Sequence, residues 1–280
     1  MIRTSRQLKA LVRNMSKGNS EKAQIIIRNY VMERFLERLS LSKYRNNFIL
    51  KGGVLVSAIV GLDNRSTMDV DATVKNLPLS EESARNVVED IINIVVDDGM
   101  SFTIKSVAPI MDELEYPGVR VILDTMLETT RTPLKIDFSS GDVITPHEVS
   151  YSFKLLFEDR TISILAYNLE TVLAEKLETL LSRGTANTRM RDFYDIFALK
   201  NTQSHNIDND VLKNAFRNTS EKRGSAAVVV NTDLILDEIL INADMMALWE
   251  NYQRKFEYAA DIGWDDLIQT VRRLCNAISE

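Results

Sequence analysis

Three aspartates, carried by two apolar segments, are the residues of this chain whose types and spacing could do chemistry. Asp69 and Asp71 interrupt the apolar run MDVDATV, and Asp137 interrupts LKIDFS. Alternate residues of a β-strand point to the same face, so Asp69 and Asp71 would project together while Met68, Val70 and Ala72 face a core. If the two segments are neighbouring strands, about 4.8 Å apart, the three carboxylates converge on one patch.

Carboxylates that crowd together repel one another unless cations lie between them. Oxygen ligands on rigid strands suit Mg²⁺, or Mn²⁺ in its place, especially when substrate phosphates complete the coordination. Two such ions about 3.5–4 Å apart would serve in-line phosphoryl or nucleotidyl transfer. A D-x-D pair alone is a weak signal, so the hypothesis depends on further residues that fit the same chemistry.

A glycine pair supplies the first of these residues. Gly52 and Gly53 follow the apolar run FIL and a lysine, and they precede the helical run VLVSAIV. Glycines at the start of a helix let backbone N–H groups approach a triphosphate, and the helix N-terminus favours negative charge. The chain contains no G-x-x-x-x-G-K-[ST] motif, so a P-loop is excluded. Glycine pairs usually mark turns. This pair supports phosphate binding only because it precedes the aspartates in the sequence.

Charged residues on two predicted helices supply the second group. Lys176 falls inside the apolar stripe of a helix over residues 169–183, where it would either extend along the surface or bind phosphates as a point charge. Arg191, Asp192 and Asp195 lie within one turn of the next helix. Arg191 and Asp195 have the (i, i+4) spacing of an ion pair.

The chain has few residues that could form another kind of catalytic or metal site. His147 and His205 lie in loop-like contexts, which leaves no basis for a histidine-rich zinc site or a Ser-His-Asp triad. Cys275, the single cysteine, lies on the apolar stripe of a predicted last helix and is expected in a core. One cysteine fits a reducing cytoplasm. No apolar run approaches the 18 or more residues of a membrane helix, and the N-terminus lacks a secretory signal.

The charge distribution is uneven. The net charge of −6 argues against salt-driven nucleic-acid binding by the whole surface. Residues 1–18 nevertheless contain five basic side chains and no acidic one. Two interpretations stay open for this segment: a solvated helix docked through Leu8, Leu11, Val12 and Met15, or a local phosphate-binding arm.

The 280 residues, 45% of them hydrophobic and 26% charged, are enough for two domains with buried cores. The first part alternates helices and strands. It includes a helix from Ser20, a strand over 67–74, a helix capped by Ser80 and ending at Gly99, and three later β-rich runs. After the strand-like run TISILAYN, Asn168 caps the helix that Gly184 ends, and the rest is helical. The pattern predicts an α/β lobe with N-terminal helices over residues 1–160 and a helical lobe over 161–280.

The motifs KGG, RSTMDVD, LKIDF-x-x-GD, AEKL and RMRDFYD, in this order, resemble those of the AbiEii/AbiGii-type nucleotidyltransferase toxins. That family is related to the MenT-type toxins and, more remotely, to the DNA polymerase β-like superfamily. The resemblance covers about residues 48–200. It implies an α+β fold in which a polymerase β-like α/β lobe is followed by an all-helical lobe.

The resemblance also implies roles for individual residues. Asp69 and Asp71 would bind metal, and Lys176, Arg191 and Asp192 or Asp195 would complete the catalytic site. From its position on the neighbouring strand, Asp137 is expected to complete one metal site and to help deprotonate the hydroxyl that accepts the nucleotide. The implied nucleotide-binding residues are Gly52, Gly53, Ser57, Arg65, Ser66, Lys176 and Arg191. One departure is that the wider superfamily usually has Gly-Ser where this chain has Gly52-Gly53. Ser57 or Ser66 is the expected source of the missing hydroxyl contact.

The implied activity is a Mg²⁺- or Mn²⁺-dependent transfer of a nucleotide from an NTP, such as GTP or CTP, to an RNA acceptor such as tRNA. The protein would be the toxin of a toxin–antitoxin or abortive phage infection system, with a separately encoded antitoxin. Two alternatives stay open from the residues alone. One is a D-x-D glycosyltransferase that uses a sugar nucleotide, and the other is a non-catalytic nucleotide-binding protein.

Overall fold

The computed structural model describes residues 1–110, 118–227 and 229–279, and the chain divides into two compact units. The first unit comprises Met1–Ala58, Ser66–Asp142 and Val149–Ala166, and the second comprises Ile59–Arg65, Val143–Glu148 and Tyr167–Glu280. The predicted boundary at residue 160 therefore falls too early. The strand after it belongs to the sheet of the first unit, while two short earlier segments belong to the second unit.

A mixed seven-stranded sheet forms the centre of the first unit. Its strands are β1 (Phe48–Lys51), β2 (Asp69–Val74), β3 (Met100–Ile110), β4 (Gly118–Leu127), β5 (Thr130–Ser140), β6 (Val149–Lys154) and β7 (Thr161–Ala166). They lie in the order β3-β4-β5-β2-β1-β7-β6. The β2–β5 and β1–β7 pairs are parallel, and the other neighbours are antiparallel. This mixed α/β architecture is the one that the sequence predicts for the first part.

Four helices accompany the sheet: α1 (Ser5–Ser16), α2 (Ser20–Leu41), α3 (Gly52–Val60) and α4 (Glu81–Ile92). Helix α2 packs on β5 and β7, and α4 packs on β3 and β4. The prediction that α4 extends to Gly99 is wrong, because the helix ends at Ile92. Asp98, beyond that end, is buried and accepts two hydrogen bonds from Arg38 of α2, at 2.7 and 2.9 Å.

Alternation along the strands decides which side chains enter the core. Val70, Ala72, Ile136 and Phe138 are buried, and the residues between them point to the opposite face of the sheet. The prediction that the aspartate-bearing strand begins at residue 67 is wrong, because β2 begins at Asp69. Met68 accordingly precedes the strand and is 48% exposed instead of joining the core.

The basic N-terminal segment forms a docked amphipathic helix. Leu8 and Val12 of α1 are buried, and α1 packs on α2. Arg6, Lys9 and Arg13 are exposed. The docked-helix interpretation of residues 1–18 is confirmed for Leu8 and Val12, whereas Leu11 is exposed and Met15 half-buried, contrary to that prediction. The exposed basic face leaves phosphate binding as a separate prediction.

The second unit is helical, as expected. Its helices are α5 (Leu169–Arg183), α6 (Met190–Gln203), α7 (Asn209–Lys222), α8 (Thr232–Ile241), α9 (Ala243–Lys255) and α10 (Trp264–Ser279). Asn168 caps α5 through Thr171 N–H, and Gly184 ends the helix with a φ of +51°. Cys275 is buried on α10, and burial raises the pKa of its thiol to about 12. His147 and His205 are exposed. None of the helices in the described ranges has the length and apolar character needed to cross a membrane.

Helix α2 is unusual because its second half buries charged residues as well as apolar ones. Glu33, Arg34, Glu37 and Arg38 are all buried. The Glu33 carboxylate accepts the backbone N–H of Leu156, with distances of 2.9 and 3.0 Å to its two oxygens. Arg34 pairs with Glu37 and with Glu158, both at 3.0 Å. Burial raises the pKa of Glu33 to about 8, although the Leu156 hydrogen bond and the Arg34 charge act in the opposite direction.

This shift predicts a pH dependence of stability. A carboxyl group with an ordinary pKa near 4.5 and a folded-state pKa near 8 stabilises the fold fully below pH 4.5. That stabilisation disappears as the pH rises through 8. Glu33→Gln should therefore gain free energy of unfolding relative to the wild type between pH 5 and 9, by a few kcal/mol at most, since one pKa unit corresponds to about 1.4 kcal/mol. Urea unfolding of both proteins across this range is the measurement. A difference that does not change with pH would contradict the prediction.

Candidate active site

A row of four charged residues crosses the sheet face opposite the α2 core. Lys51, Asp71, Asp137 and Arg120 lie directly opposite one another on β1, β2, β5 and β4. Arg120 donates two hydrogen bonds to Asp137, Nε to Oδ1 and Nη2 to Oδ2, both at 2.8 Å. The predicted pairing of the two aspartate-bearing strands is confirmed, and a cation flanks each end of the carboxylate pair.

A second pair lies beside this row. Asp69 is two residues before Asp71 and therefore shares its face, and Lys135 lies opposite Asp69 on β5. The Lys135 ammonium is 2.7 Å from Asp69 Oδ2 and 3.7 Å from Asp137 Oδ2. Both side chains of the closer pair are accessible, with exposed fractions of 32% for Lys135 and 38% for Asp69. The protein therefore places its own cation between two of the three predicted metal ligands.

The glycine pair is explained by the position of Asp71. Gly52 has a φ of +63°, which side chains of L-residues rarely adopt. A Cβ atom at this position would also lie 2.9 Å from both Cβ and Cγ of Asp71, closer than real contacts allow. The backbone N–H of Gly53 bonds the Asp71 carboxylate and lowers its pKa. Gly52 and Gly53 thus form the cradle of this carboxylate.

The electrostatic environment of Asp71 favours its neutral form. Burial and then the charge of Asp137 raise its pKa, Asp69 adds to this effect, and Lys51 opposes it. Lys51 also pairs with Asp142, at 2.7 Å. Lys51 lowers the pKa of Asp142 to about 2 against the effect of burial. A further cation close to Asp71 would favour its ionised form.

Whether these carboxylates suit a metal depends on how many are available. Within residues 1–110, 118–227 and 229–279, no group of three or more His, Cys, Asp or Glu side chains is placed to hold a metal ion. Two of the three predicted ligands are also bonded by cations of the protein, since Arg120 holds both oxygens of Asp137 and Lys135 bonds Asp69. Mg²⁺ commonly takes only one or two protein carboxylates together with substrate phosphates. Asp69 and Asp71, on one face of one strand, fit that smaller ligand set.

Four further predicted residues, Arg65, Lys176, Asp192 and Asp195, form a cluster inside the second unit. Arg65 bonds both oxygens of Asp195, with Nε at 2.6 Å from Oδ1 and Nη2 at 3.2 Å from Oδ2. The Lys176 ammonium donates to Asp195 at 2.6 Å and to Asp192 at 2.9 Å. Arg189 pairs with Asp192, also at 2.9 Å. This is a buried ion-pair network, because the side chains of Arg65, Asp192 and Asp195 are less than 5% exposed.

The network changes the interpretation of Lys176. Burial disfavours its ammonium charge, but Asp192 and Asp195 outweigh that effect and raise its pKa. Lys176 and Arg65 likewise lower the pKa of Asp195 against the effect of burial. Lys176 therefore has two carboxylate partners within the protein, which the sequence did not predict. The expected Arg191–Asp195 pair is also not the arrangement found, since exposed Arg191 lies over the Phe256 ring at 6.0 Å.

Two predicted serines and three cations that were not predicted belong to the same unit as the carboxylates. Ser57 and Ser66 are buried in the first unit. Lys51, Arg120 and Lys135 contact the carboxylates but were not among the predicted site residues. Lys51 precedes the glycine pair and Lys135 is two residues before Asp137, so strand alternation could have indicated these two. Arg120 becomes recognisable only from the register of β4 on β5.

Two solved structures are similar to this chain. The chain aligns over 91% of its length with JHP933 from Helicobacter pylori, at 14% identity, covering 94% of that chain with a TM-score of 0.50. A candidate nucleotidyltransferase from H. pylori aligns over 91% of this chain and 93% of that one, at 16% identity and a TM-score of 0.48. A search of curated protein sequences gives no match. At 14% identity, the similarity to JHP933 concerns the fold alone.

A family model provides the identification. The model described as the nucleotidyl transferase AbiEii toxin of a type IV toxin–antitoxin system matches residues 34–270, which is most of the chain. The matched range includes the glycine cradle, the carboxylate row and the ion-pair network of the second unit. The protein therefore belongs to the AbiEii family of nucleotidyltransferase toxins and is a nucleotidyltransferase.

Proposed function

We propose that the protein transfers a nucleoside monophosphate from an NTP, such as GTP or CTP, to an RNA acceptor such as tRNA, with Mg²⁺ or Mn²⁺ as cofactor. The observation that carries the proposal is the pair Asp69 and Asp71, beside a glycine cradle and opposite Asp137. Family membership supplies the reaction class, and this arrangement supplies the groups that such a reaction needs.

In the proposed reaction an acceptor hydroxyl attacks the α-phosphorus of the NTP, a phosphodiester bond forms and pyrophosphate leaves. A bound divalent cation would neutralise the charge that develops on the phosphates. Asp69 and Asp71 would hold that cation. Asp137 is the proposed acceptor of the hydroxyl proton. Arg120 bonds each Asp137 oxygen once, so each oxygen keeps a second lone pair that can accept the proton.

Phosphate binding is proposed for the residues near this carboxylate site and, from the family resemblance, for others. Gly52, Gly53, Ser57 and Ser66 belong to the first unit with Asp69 and Asp71. The roles of Arg65, Lys176, Arg191, Asp192 and Asp195 in nucleotide binding or catalysis also stay proposals. For Lys176, the ion pairs favour a stabilising role within the second unit, and the two roles make different predictions.

The two alternative functions from the residues alone are now disfavoured. A glycosyltransferase or a non-catalytic nucleotide-binding protein does not agree with membership of a nucleotidyltransferase family. The type IV toxin–antitoxin family implies a cognate antitoxin. We propose that the antitoxin is encoded separately and that the pair acts in abortive infection against phage.

The first test concerns the carboxylates. Asp69→Asn with Asp71→Asn keeps the side-chain shape but removes the charge that would bind a cation. Incubation with each labelled NTP, Mg²⁺ and total RNA should show transfer by the wild type and a decrease of at least about 100-fold in the double variant, the scale of removing one preorganised electrostatic interaction. Mn²⁺ with an NTP should raise the melting temperature of the wild type alone, because the ligands bind only the folded site.

Asp124→Asn is the matched control, since Asp124 is also a strand aspartate of this sheet but pairs with Arg131 outside the site. This variant should transfer nucleotides at the wild-type rate. Full transfer by the Asp69/Asp71 double variant would refute the proposed metal site.

A second test separates the two roles of Lys176. Lys176→Met leaves Asp195 paired only with Arg65 and leaves Asp192 with Arg189. Removal of one partner from a buried ion-pair network should lower the free energy of unfolding by about 2–4 kcal/mol. This loss is somewhat smaller than for a buried charge without any partner, because Asp195 keeps Arg65 and Asp192 keeps Arg189. Arg191→Met, on an exposed position of α6, should change it by less than about 0.5 kcal/mol.

Denaturant unfolding gives the free energies, and transfer assays on the folded fraction give the rates. A Lys176→Met protein as stable as the wild type would contradict the stabilising role. A destabilised variant that still transfers at the full rate when folded would exclude Lys176 from the reaction.

A third test addresses the RNA acceptor. Arg6, Lys9 and Arg13 are exposed on α1, whose buried face is apolar, so replacing all three with Gln should leave the fold intact. If this face contacts RNA, the triple variant should bind RNA more weakly. A plot of the logarithm of the binding constant against the logarithm of the salt concentration should also be flatter, by about one unit of slope for each phosphate that the variant no longer neutralises. RNA binding measured at several salt concentrations checks this, with NTP binding as the control. Unchanged RNA affinity and slope would exclude the α1 surface.

A further inference from the structure

We propose that Lys135 is a tethered counter-ion, which holds the metal-free carboxylates together and competes with a divalent cation for Asp69. The inference rests on the proposed function, because it concerns the same carboxylate site. It adds a regulatory element: the affinity of the site for its cation is set partly by a cation that belongs to the chain.

The position of the ammonium carries the argument. Lys135 lies opposite Asp69 in the parallel β2–β5 register and two residues before Asp137 on β5, so all three side chains share one face. The ammonium is 2.7 Å from Asp69 Oδ2 and 3.7 Å from Asp137 Oδ2. A divalent cation held by Asp69 would compete with this ammonium for the same carboxylate.

The neighbouring cations are engaged differently. Arg120 has two aligned hydrogen bonds to Asp137, and its planar guanidinium is fixed by both. Lys51 is 2.7 Å from Asp142, which is almost fully buried. Lys135 instead ends in a point charge on a flexible stem and faces a partly exposed carboxylate. Among these three cations, Lys135 has the most exposed carboxylate partner, because Asp69 is 38% exposed, against 18% for Asp137 and 2% for Asp142.

The energetics also fit displacement. Exposed ion pairs of this kind contribute little, because water screens the charges and the side chains lose freedom. A divalent cation with phosphate ligands offers Asp69 a stronger partner. Breaking the Lys135 pair on cation binding is therefore a modest cost, and without a bound cation the same pair offsets repulsion between Asp69 and its carboxylate neighbours.

Lys135→Met in the full-length chain tests this inference. The change keeps an unbranched side chain on β5 and removes only the charge. Arg131→Met is the matched control, because Arg131 is also a β5 cation paired with an aspartate, Asp124, away from the site. Melting temperature is measured for all three proteins during titration with Mn²⁺ alone, after treatment with a chelator, so the readout does not depend on activity.

We expect metal-free Lys135→Met to melt below the wild type and to recover on addition of Mn²⁺. Its titration midpoint should lie about two- to fivefold below that of the wild type, the factor that corresponds to an exposed ion pair. Arg131→Met should show the wild-type midpoint. A midpoint for Lys135→Met equal to or above the wild-type value would overturn the competition.

Failure of the proposed function gives a different result. If neither wild type nor Lys135→Met responds to Mn²⁺, no metal competes with Lys135 and the inference is overturned. The Mg²⁺-dependent transfer assay with the wild type then decides separately whether the protein is the proposed RNA-directed enzyme. If the wild type responds and transfers nucleotides while the Lys135→Met midpoint is unchanged, only the inference fails.

Discussion

The parallel pairing of β2 with β5 is the constraint on which the first unit depends. It places Asp71 directly opposite Asp137, on strands whose other faces contribute buried core residues, so neither carboxylate can turn away. Two like charges in that position are unfavourable, and the sheet offsets them with cations on both flanking strands, Lys51 and Arg120. The antiparallel β1–β2 register brings Asp71 opposite Lys51, next to Gly52, and position 52 requires glycine because the Asp71 carboxylate occupies the space of a side chain.

A different electrostatic solution stabilises the second unit. There Asp195 is fully buried and is bonded by both Arg65 and Lys176. Arg65 belongs to the short segment Ile59–Arg65, and this contact, with the Tyr194 hydroxyl bond to the Asn64 carbonyl, explains why that segment clusters with helices more than 100 residues later. Buried ion pairs of this type add little net stability, but removal of one partner is costly, so they fix the arrangement of the elements that they join.

The sequence by itself determined the elements and the carboxylate-bearing strands. Alternation of polar and apolar residues was enough to place Asp69 and Asp71 on one face of a strand and Asp137 on another strand, because the two-residue period is a local property of the backbone. Capping by Asn168 and termination by Gly184 were equally local, and both were confirmed. The order of the motifs also indicated the nucleotidyltransferase family before any contact was known.

Only the tertiary structure decided which charges meet. Sequence spacing suggested that Arg191 pairs with Asp195 and that Lys176 extends along the surface or binds phosphate. In the structure, Lys176 and Arg65, which is distant in the chain, both bond Asp195. The same holds for Lys135, whose ammonium lies between carboxylates that the sequence assigned to a metal. Register between strands and contacts between distant segments set these partners, and periodicity within one segment carries no information about either.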